Sequence, residues 1–278
     1  MVRRDPGEEG AIVRPSAARE RFSLDIWLPE PPLDRFVARF WKTAWALDEP
    51  FVQTIVGYPA VNLVVQADRS ITVTGPQHHN DERRLDGAGW AFGARFRAGG
   101  FRPFVGLSLA GLADRALPAT ELFGDAAAAL ADAVVDATDD DERLGLFVAF
   151  LAGRAPVGPT DGERLSSLLE SAAEESPPVT RVGELAERFG VSARTLQRLF
   201  LEHVGMGPKW CLDRARVHAV STRTRSEVRS WADVAHELGY ADQAHLTTSF
   251  SSVFGAPPAA YTRHETDRTG PADEAPRP

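Results

Sequence analysis

The stretch WADVAHELGYADQAHLTTSFSSVFGAPPAAY, Trp231–Tyr261, decides how this chain is read. Val234, Ala235 and Leu238 fall at helical spacing, and Gly239 supplies a turn that a residue with Cβ would resist. Leu246, Phe250 and Val253 then resume an apolar stripe, and Pro257 and Pro258 end it. Ser230 and Asp233 make a capping-box variant with Asp in place of Glu or Gln. The pattern is helix, tight turn, helix and stop. Its outward positions are Gln243, Ala244, Thr247 and Thr248.

An echo lies upstream in RVGELAERFGVSARTLQRLF, Arg181–Phe200. Val182, Leu185, Ala186 and Phe189 form one stripe, Gly190 the turn, and Ser192 an N-cap with Val191 and Leu196 as a hydrophobic staple. The second helix buries Leu196, Leu199 and Phe200 and leaves Ala193, Arg194, Gln197 and Arg198 outside. Ala186 and Gly190 match Ala235 and Gly239 at an offset of 49. Leu196, Phe200, Gly205 and Pro208 match Leu246, Phe250, Gly255 and Pro258 at an offset of 50, so the second turn is one residue longer. Between the units, PKWCLDRARVHAVSTRTR reads as a long helix from Pro208. Its Arg214, Arg216, Arg223 and Arg225 read either as a cationic flank suited to phosphate or as a solvated helix face, and Lys209 joins Arg214, Arg216 and Arg223 as a candidate phosphate contact.

Charge distribution agrees with a nucleic-acid module at this end. The chain of 278 residues carries a net charge of -8. From Val179 to His264, however, there are 11 Lys and Arg against 8 Asp and Glu, and the acidic surplus lies elsewhere. A local basic face attracts phosphate even on an acidic chain. Cys211 is the single cysteine, which excludes an intrachain disulfide and a Cys-based zinc finger. It reads as a small core residue. No secretory signal and no membrane-spanning run is visible, so a cytoplasmic location is the expectation.

The first part of the chain has a different grammar. Residues 1–20 read as a disordered arm. From Phe22 to about Phe104, short β-type runs alternate with turn signals: FVQTIV, VNLVVQ, SITVTG, RRLDG, GWAFGARF and, with a lean toward strand, RFWKTAWAL. Many short strands suggest a small barrel or sandwich. Trp27, Trp41, Trp45 and Trp90 lie here, most simply as core. A barrel mouth lined by some of them would hold a small ligand. The candidate pocket is Trp41, Trp45, Asn62, Trp90, Phe92 and Arg95. His78 and His79 point to opposite faces of an extended segment, and no metal-ligand spacing follows, so no metal and no cofactor is expected. From Leu107 to Arg154 the pattern turns helical, with ATELFGDAAAALADAVVDA as one helix and DDDERLGLFVAFLAGR as another.

Residues from about Val179 to Arg263 resemble the DNA-binding domain of the AraC/XylS family of bacterial transcription regulators. The resemblance is carried by LAERFGVSARTLQRLF, DVAHELGYADQAHLTTSF and FGAPPAAY. Trp27 to about Gly124 looks like a β-rich domain found on some members, through GYPAVNLVV and FGARFRAGGFRPF. The resemblance implies double-stranded DNA as partner, with two recognition helices in successive major grooves about 34 Å apart. By position, Ser192, Arg194, Gln197 and Arg198 would serve the first helix and Gln243, Ala244, Thr247 and Thr248 the second. RNA polymerase, a homodimer partner and a small effector are further expectations. The second helix departs from the family. An arginine is common where Thr248 stands and basic residues where Ser251 and Ser252 stand, and Ala241 replaces a frequent capping serine. The first unit and the linking helix are therefore expected to dominate binding.

The expected fold class is α+β: a β-barrel or cupin-like N-terminal domain with packed helices, then an all-α domain of two helix-turn-helix units joined by a long helix. The expected boundaries are 1–20 arm, 21–154 β-rich domain, 155–162 linker, 163–264 DNA-binding domain and 265–278 disordered tail. The expected function is a non-enzymatic, effector-responsive transcription regulator, expected as an activator although the residues do not distinguish activation from repression. The alternatives are a ligand-independent regulator whose first domain only binds partners, a cupin-like enzyme with an appended DNA module, and a DNA alkyl-transfer protein. The last needs a reactive cysteine, and Cys211 sits in a scaffold helix.

Overall fold

Short antiparallel strands build the N-terminal half, with buried and half-buried residues alternating strictly along Asn62–Gln66 and Ile71–Thr74. The computed structural model describes residues 3–4, 13, 18, 20–175, 178–223 and 230–266. The strands are β1 Arg3–Arg4, β2 Phe22–Trp27, β3 Val37–Ala46, β4 Phe51–Ile55, β5 Asn62–Gln66, β6 Ile71–Thr74, β7 Asp81–Leu85, β8 Ala88–Phe96 and β9 Ala116–Pro118. Seven of them form one antiparallel sheet in the order β1-β2-β3-β8-β5-β6-β9. The antiparallel partners β4 and β7, about 30 residues apart in the chain, form a separate two-stranded ribbon.

The α+β class holds, but the barrel does not close. Among the described residues the edge strands β1 and β9 pair with no common neighbour, and β4 pairs with β7 rather than bridging them. The arm expected to be disordered contributes β1, where Arg3 and Arg4 pair with Trp27 and Ile26. Strands β2 and β9 were hidden in sequence because FSLDIW and ALP are short and carry polar or proline residues.

One sheet face buries Phe40, Leu63, Val65, Val73, Phe92 and Phe96 against two helices, α1 Asp125–Asp136 and α2 Asp140–Ala152. The helices offer Leu130, Val134, Leu144, Phe147 and Leu151. Lys42 reaches across to Asp140 at 2.7 Å and locks the start of α2 to β3. The single long helix expected over 119–137 is instead broken at Gly124 (φ 58°), with a turn of helix at Thr120–Phe123 before α1.

The C-terminal half is helical: α3 Asp161–Glu174, α4 Val182–Phe189, α5 Ala193–His203, α6 Pro208–Arg223, α7 Trp231–Glu237, α8 Gln243–Phe254 and α9 Pro258–Thr266. Thr160 and Glu163 close a reciprocal capping box on α3, so the helix begins two residues inside the stretch read as linker. Two cores follow. Leu165, Leu185, Leu196, Phe200 and Leu212 make the first, and Val220, Val234, Leu246, Phe250 and Tyr261 the second. Helix α6 contributes to both and sets one unit against the other. No helix among the described residues is long and apolar enough to cross a membrane.

The halves are joined directly. Arg35 grips Glu163 with two nitrogens, at 2.6 and 2.9 Å. Arg97 meets Glu170 at 2.7 Å, and Arg102 pairs with Glu202 on α5. On the second unit, Asn80 Nδ2 donates to the Val253 carbonyl at 2.5 Å and Tyr58 packs edge-on against His218 of α6.

Candidate nucleic-acid interface

Both turns form as glycine requires, with Gly190 at φ 74° and Gly239 at φ 68°. Ser192 caps α5, its Oγ accepting from the Thr195 amide at 3.1 Å. Capping fixes the rotation of α5, which buries Leu196, Leu199 and Phe200. Arg194, Gln197 and Arg198 are thereby left exposed on one side. Arg198 is 67% exposed and only lightly held by Glu202 at 3.3 Å. A guanidinium presented this way matches guanine O6 and N7, and a carboxamide matches adenine.

The second unit reproduces the inner face and not the outer one. Leu246, Phe250, Val253 and Phe254 are buried, Gln243, Ala244 and Thr248 are exposed, and Thr247 is half-buried. The missing serine at Ala241 is made good one residue later, where Asp242 Oδ1 accepts from the His245 amide at 2.7 Å. The extra residue in this turn was the signal for that shift. The cap also places a carboxylate at the leading end of a helix that carries no Lys or Arg.

The linking helix corrects the phosphate expectation. Arg214 and Arg216 are buried, not offered to solvent. Arg214 lies over the Trp210 ring at 4.8 Å and donates to the His78 carbonyl, and burial lowers its pKa. Arg216 donates to the Gly239 carbonyl, pairs with Asp213 at 2.9 Å and covers Tyr240. Their planar heads are used to close cores. The expectation counted charge without seeing that residues 214 and 216 flank the inward face of α6. Lys209 remains exposed beside Asp213. Arg225 and the side chain of Arg223 lie outside the described residues. Cys211 is buried and its thiol is pushed up to about 12 by burial.

The cavity of the N-terminal half opens on the other sheet face. Residues of β2, β3, β5, β6 and β8 and the β4–β7 ribbon enclose about 270 Å³. Trp41, Trp45, Asn62 and Arg95 line it. Trp90 and Phe92 do not. They alternate with Ala91 and Arg95 on β8 and so face the helices, Phe92 stacking on Trp27 at 5.5 Å and Trp90 lying under Arg143. Lining residues that the sequence did not single out include Arg39, Gln53 and Tyr58.

Comparison with known proteins places both halves. Residues 185–264 match a helix-turn-helix domain family, and residues 26–118 match a domain of unknown function (DUF6597). The transcriptional activator RhaS of Pectobacterium carotovorum is 35% identical over 83 residues, 30% of this chain and 29% of that protein. The activator RhaR of Pectobacterium atrosepticum is 29% identical over 125 residues, 43% of this chain and 44% of that protein. The chain thus spans less than half the length of these curated relatives. The solved DNA-binding domain of AdpA, in complex with a target DNA, is 27% identical, covering 40% of this chain and 96% of that one with a TM-score of 0.34. The C-terminal part of the chain is thus similar to the helix-turn-helix domain of AraC-like transcription regulators, with a domain of unknown function set before it.

Proposed function

We propose that the protein is a sequence-specific transcription regulator of the AraC type, not an enzyme, whose N-terminal domain binds a small effector. One observation supports this most. Two capped, glycine-turned helix pairs share one scaffold helix, and the first presents Arg194, Gln197 and Arg198 clear of its core. The recognition roles are those three with Ser192 in the first helix and Gln243, Ala244, Thr247 and Thr248 in the second. DNA as target implies a cytoplasmic location, and RNA polymerase and a second copy of the chain complete the expected partners. The units of function are the β-rich domain with its two helices, residues 21–154, and the DNA-binding domain that follows.

The effector reading rests on the cavity, enclosed by seven strands and open to a solute. The ligand-independent alternative requires that this space be filled or inert. The deciding experiment is selection of duplexes from a random pool by the full chain, followed by footprinting on the winning sequence. Two protected segments one helical turn apart are expected. Protection without sequence preference would refute the regulator reading.

A further inference from the structure

The cavity floor is ordered by strand register into rows. Arg39 pairs with Arg95, Arg95 with Asn62, and Asn62 with Thr74, so four strands place one polar row side by side. The next row, two residues along each strand and about 6–7 Å away, is Trp41, Gly93, Val64 and Thr72. Beyond it, toward Trp45, the lining includes Phe22 and Leu24. One end of the floor is cationic and amide-bearing, and the rest is aromatic and aliphatic.

At the cationic end, Arg95 has no carboxylate partner among the described residues. Lining carboxylate Asp81 is taken by Arg83 at 2.7 Å. Arg84 has Asp86 at 3.4 Å. Arg95 has neither: among the described residues its guanidinium makes no hydrogen bond or ion pair and lies over the Tyr58 ring, 4.1 Å from the centroid. It also stands directly across from Arg39 on the neighbouring strand. The Asn62 carboxamide beside it likewise has no side-chain partner among the described residues. A fork of donors on a fixed strand, with an amide next to it, is suited to one carboxylate.

The floor next to this end is flat by construction. A Cβ on Gly93 would stand 2.9 Å from Trp41 Cζ2, and one on Gly89 2.6 Å from Trp45 Cζ2. The two indoles therefore rest on bare backbone and present faces, not edges, to the cavity. At about 270 Å³ the space lies just under the roughly 300–1,000 Å³ of drug-sized sites. We propose that the cavity binds a small monocarboxylic acid with an aromatic or branched apolar body, its carboxylate held by Arg95 and Asn62 and its body lying on Trp41. This rests on the effector reading above and names the ligand class. The anion end also adjoins the DNA-binding half, because the ring under Arg95 is the Tyr58 ring that packs against His218 of α6 at 5.4 Å.

The test is a titration of the full chain, followed by tryptophan fluorescence and melting temperature. The probes are benzoate, phenylacetate and cyclohexanecarboxylate, each against its neutral amide. At least one acid is expected to saturate and to bind at least about tenfold tighter than its amide, the worth of a charged hydrogen bond. Arg95→Gln is expected to bring the acid down to the amide's level, and Arg95→Lys, which keeps the charge, to retain part of the affinity. Equal binding of acid and amide overturns the acid proposal and leaves the effector reading standing. So does unchanged acid affinity in Arg95→Gln. Binding of none of the six overturns the proposal, while DNA anisotropy on the same sample reports separately on the regulator reading.

Discussion

The two helix-turn-helix units have the same interior and opposite exteriors. Phe200 and Phe250 occupy equivalent places 50 residues apart, and both are fully buried. On the outside, α5 carries two arginines and a glutamine, while α8 carries glutamine, alanine and threonine behind an aspartate cap. Burial is what repeats, because each unit must close its own core around one end of α6. The outer face is free of that constraint and can diverge. On the proposed function, the first unit supplies the electrostatic grip. The second is placed against the cavity-bearing domain through Val56, Tyr58 and Asn80.

The largest expected effect tests the shared half of this comparison. Phe200→Ala and Phe250→Ala should each cost about 3–5 kcal/mol in chemical denaturation. Similar values would show two cores of equal weight. A loss at Phe250 below about 1 kcal/mol would mean that the second unit is held by the N-terminal domain instead.

The next tests the difference. Arg194→Ala and Arg198→Ala should each weaken specific DNA binding by about 1–3 kcal/mol if they read bases, or lower the salt slope by about one if they hold phosphate. Thr248→Ala should change affinity by less than about 0.5 kcal/mol. Thr248→Arg should raise it and steepen its salt dependence. Equal large losses from Arg198→Ala and Thr248→Ala would break the asymmetry.

Acid should also separate the units, through His203 at the end of α5. Burial holds the His203 imidazole below its ordinary value, helped by the nearby Arg102 charge. An unfolded histidine titrates near pH 6.5. Between that pH and the lower folded value the unfolded chain binds the extra proton, so stability falls as pH falls. Above about 6.5 the contribution is fully present. Unfolding midpoints of the wild type should drop across this window, and His203→Gln should flatten the slope. An unchanged slope would place the sensitivity elsewhere.

How far these features were legible in sequence follows from the range of the interactions. Turns, stripes and caps are local, so Gly190, Ser192 and Leu196 announced themselves. Arg214 and Arg216 misled because their partners, the His78 carbonyl and the Gly239 carbonyl, lie 136 and 23 residues away. Phe92 was assigned to the cavity for being aromatic, although its parity on β8 opposes that of Arg95 and is readable once the strand is fixed. The open sheet was not legible, since whether β4 bridges two edges or pairs with β7 depends on contacts between segments about 30 residues apart.

The smallest expected effect concerns Asn80, which ties the second unit to the cavity domain. The last carbonyls of a helix have no partner within it. In α8 one of them, Val253, accepts from Asn80 Nδ2, while Asn80 Oδ1 accepts from the Gly57 amide at 3.2 Å. One side chain therefore joins the loop after β4, which lines the cavity, to the end of the second recognition helix. Asn80→Ala should cost only about 1 kcal/mol of global stability. Its signature should be local: faster amide exchange in α8 with α5 unchanged, and DNA affinity nearly preserved because the grip lies in the first unit. Equal acceleration in both helices would show that the units move as one body, and the division of labour between them would fail.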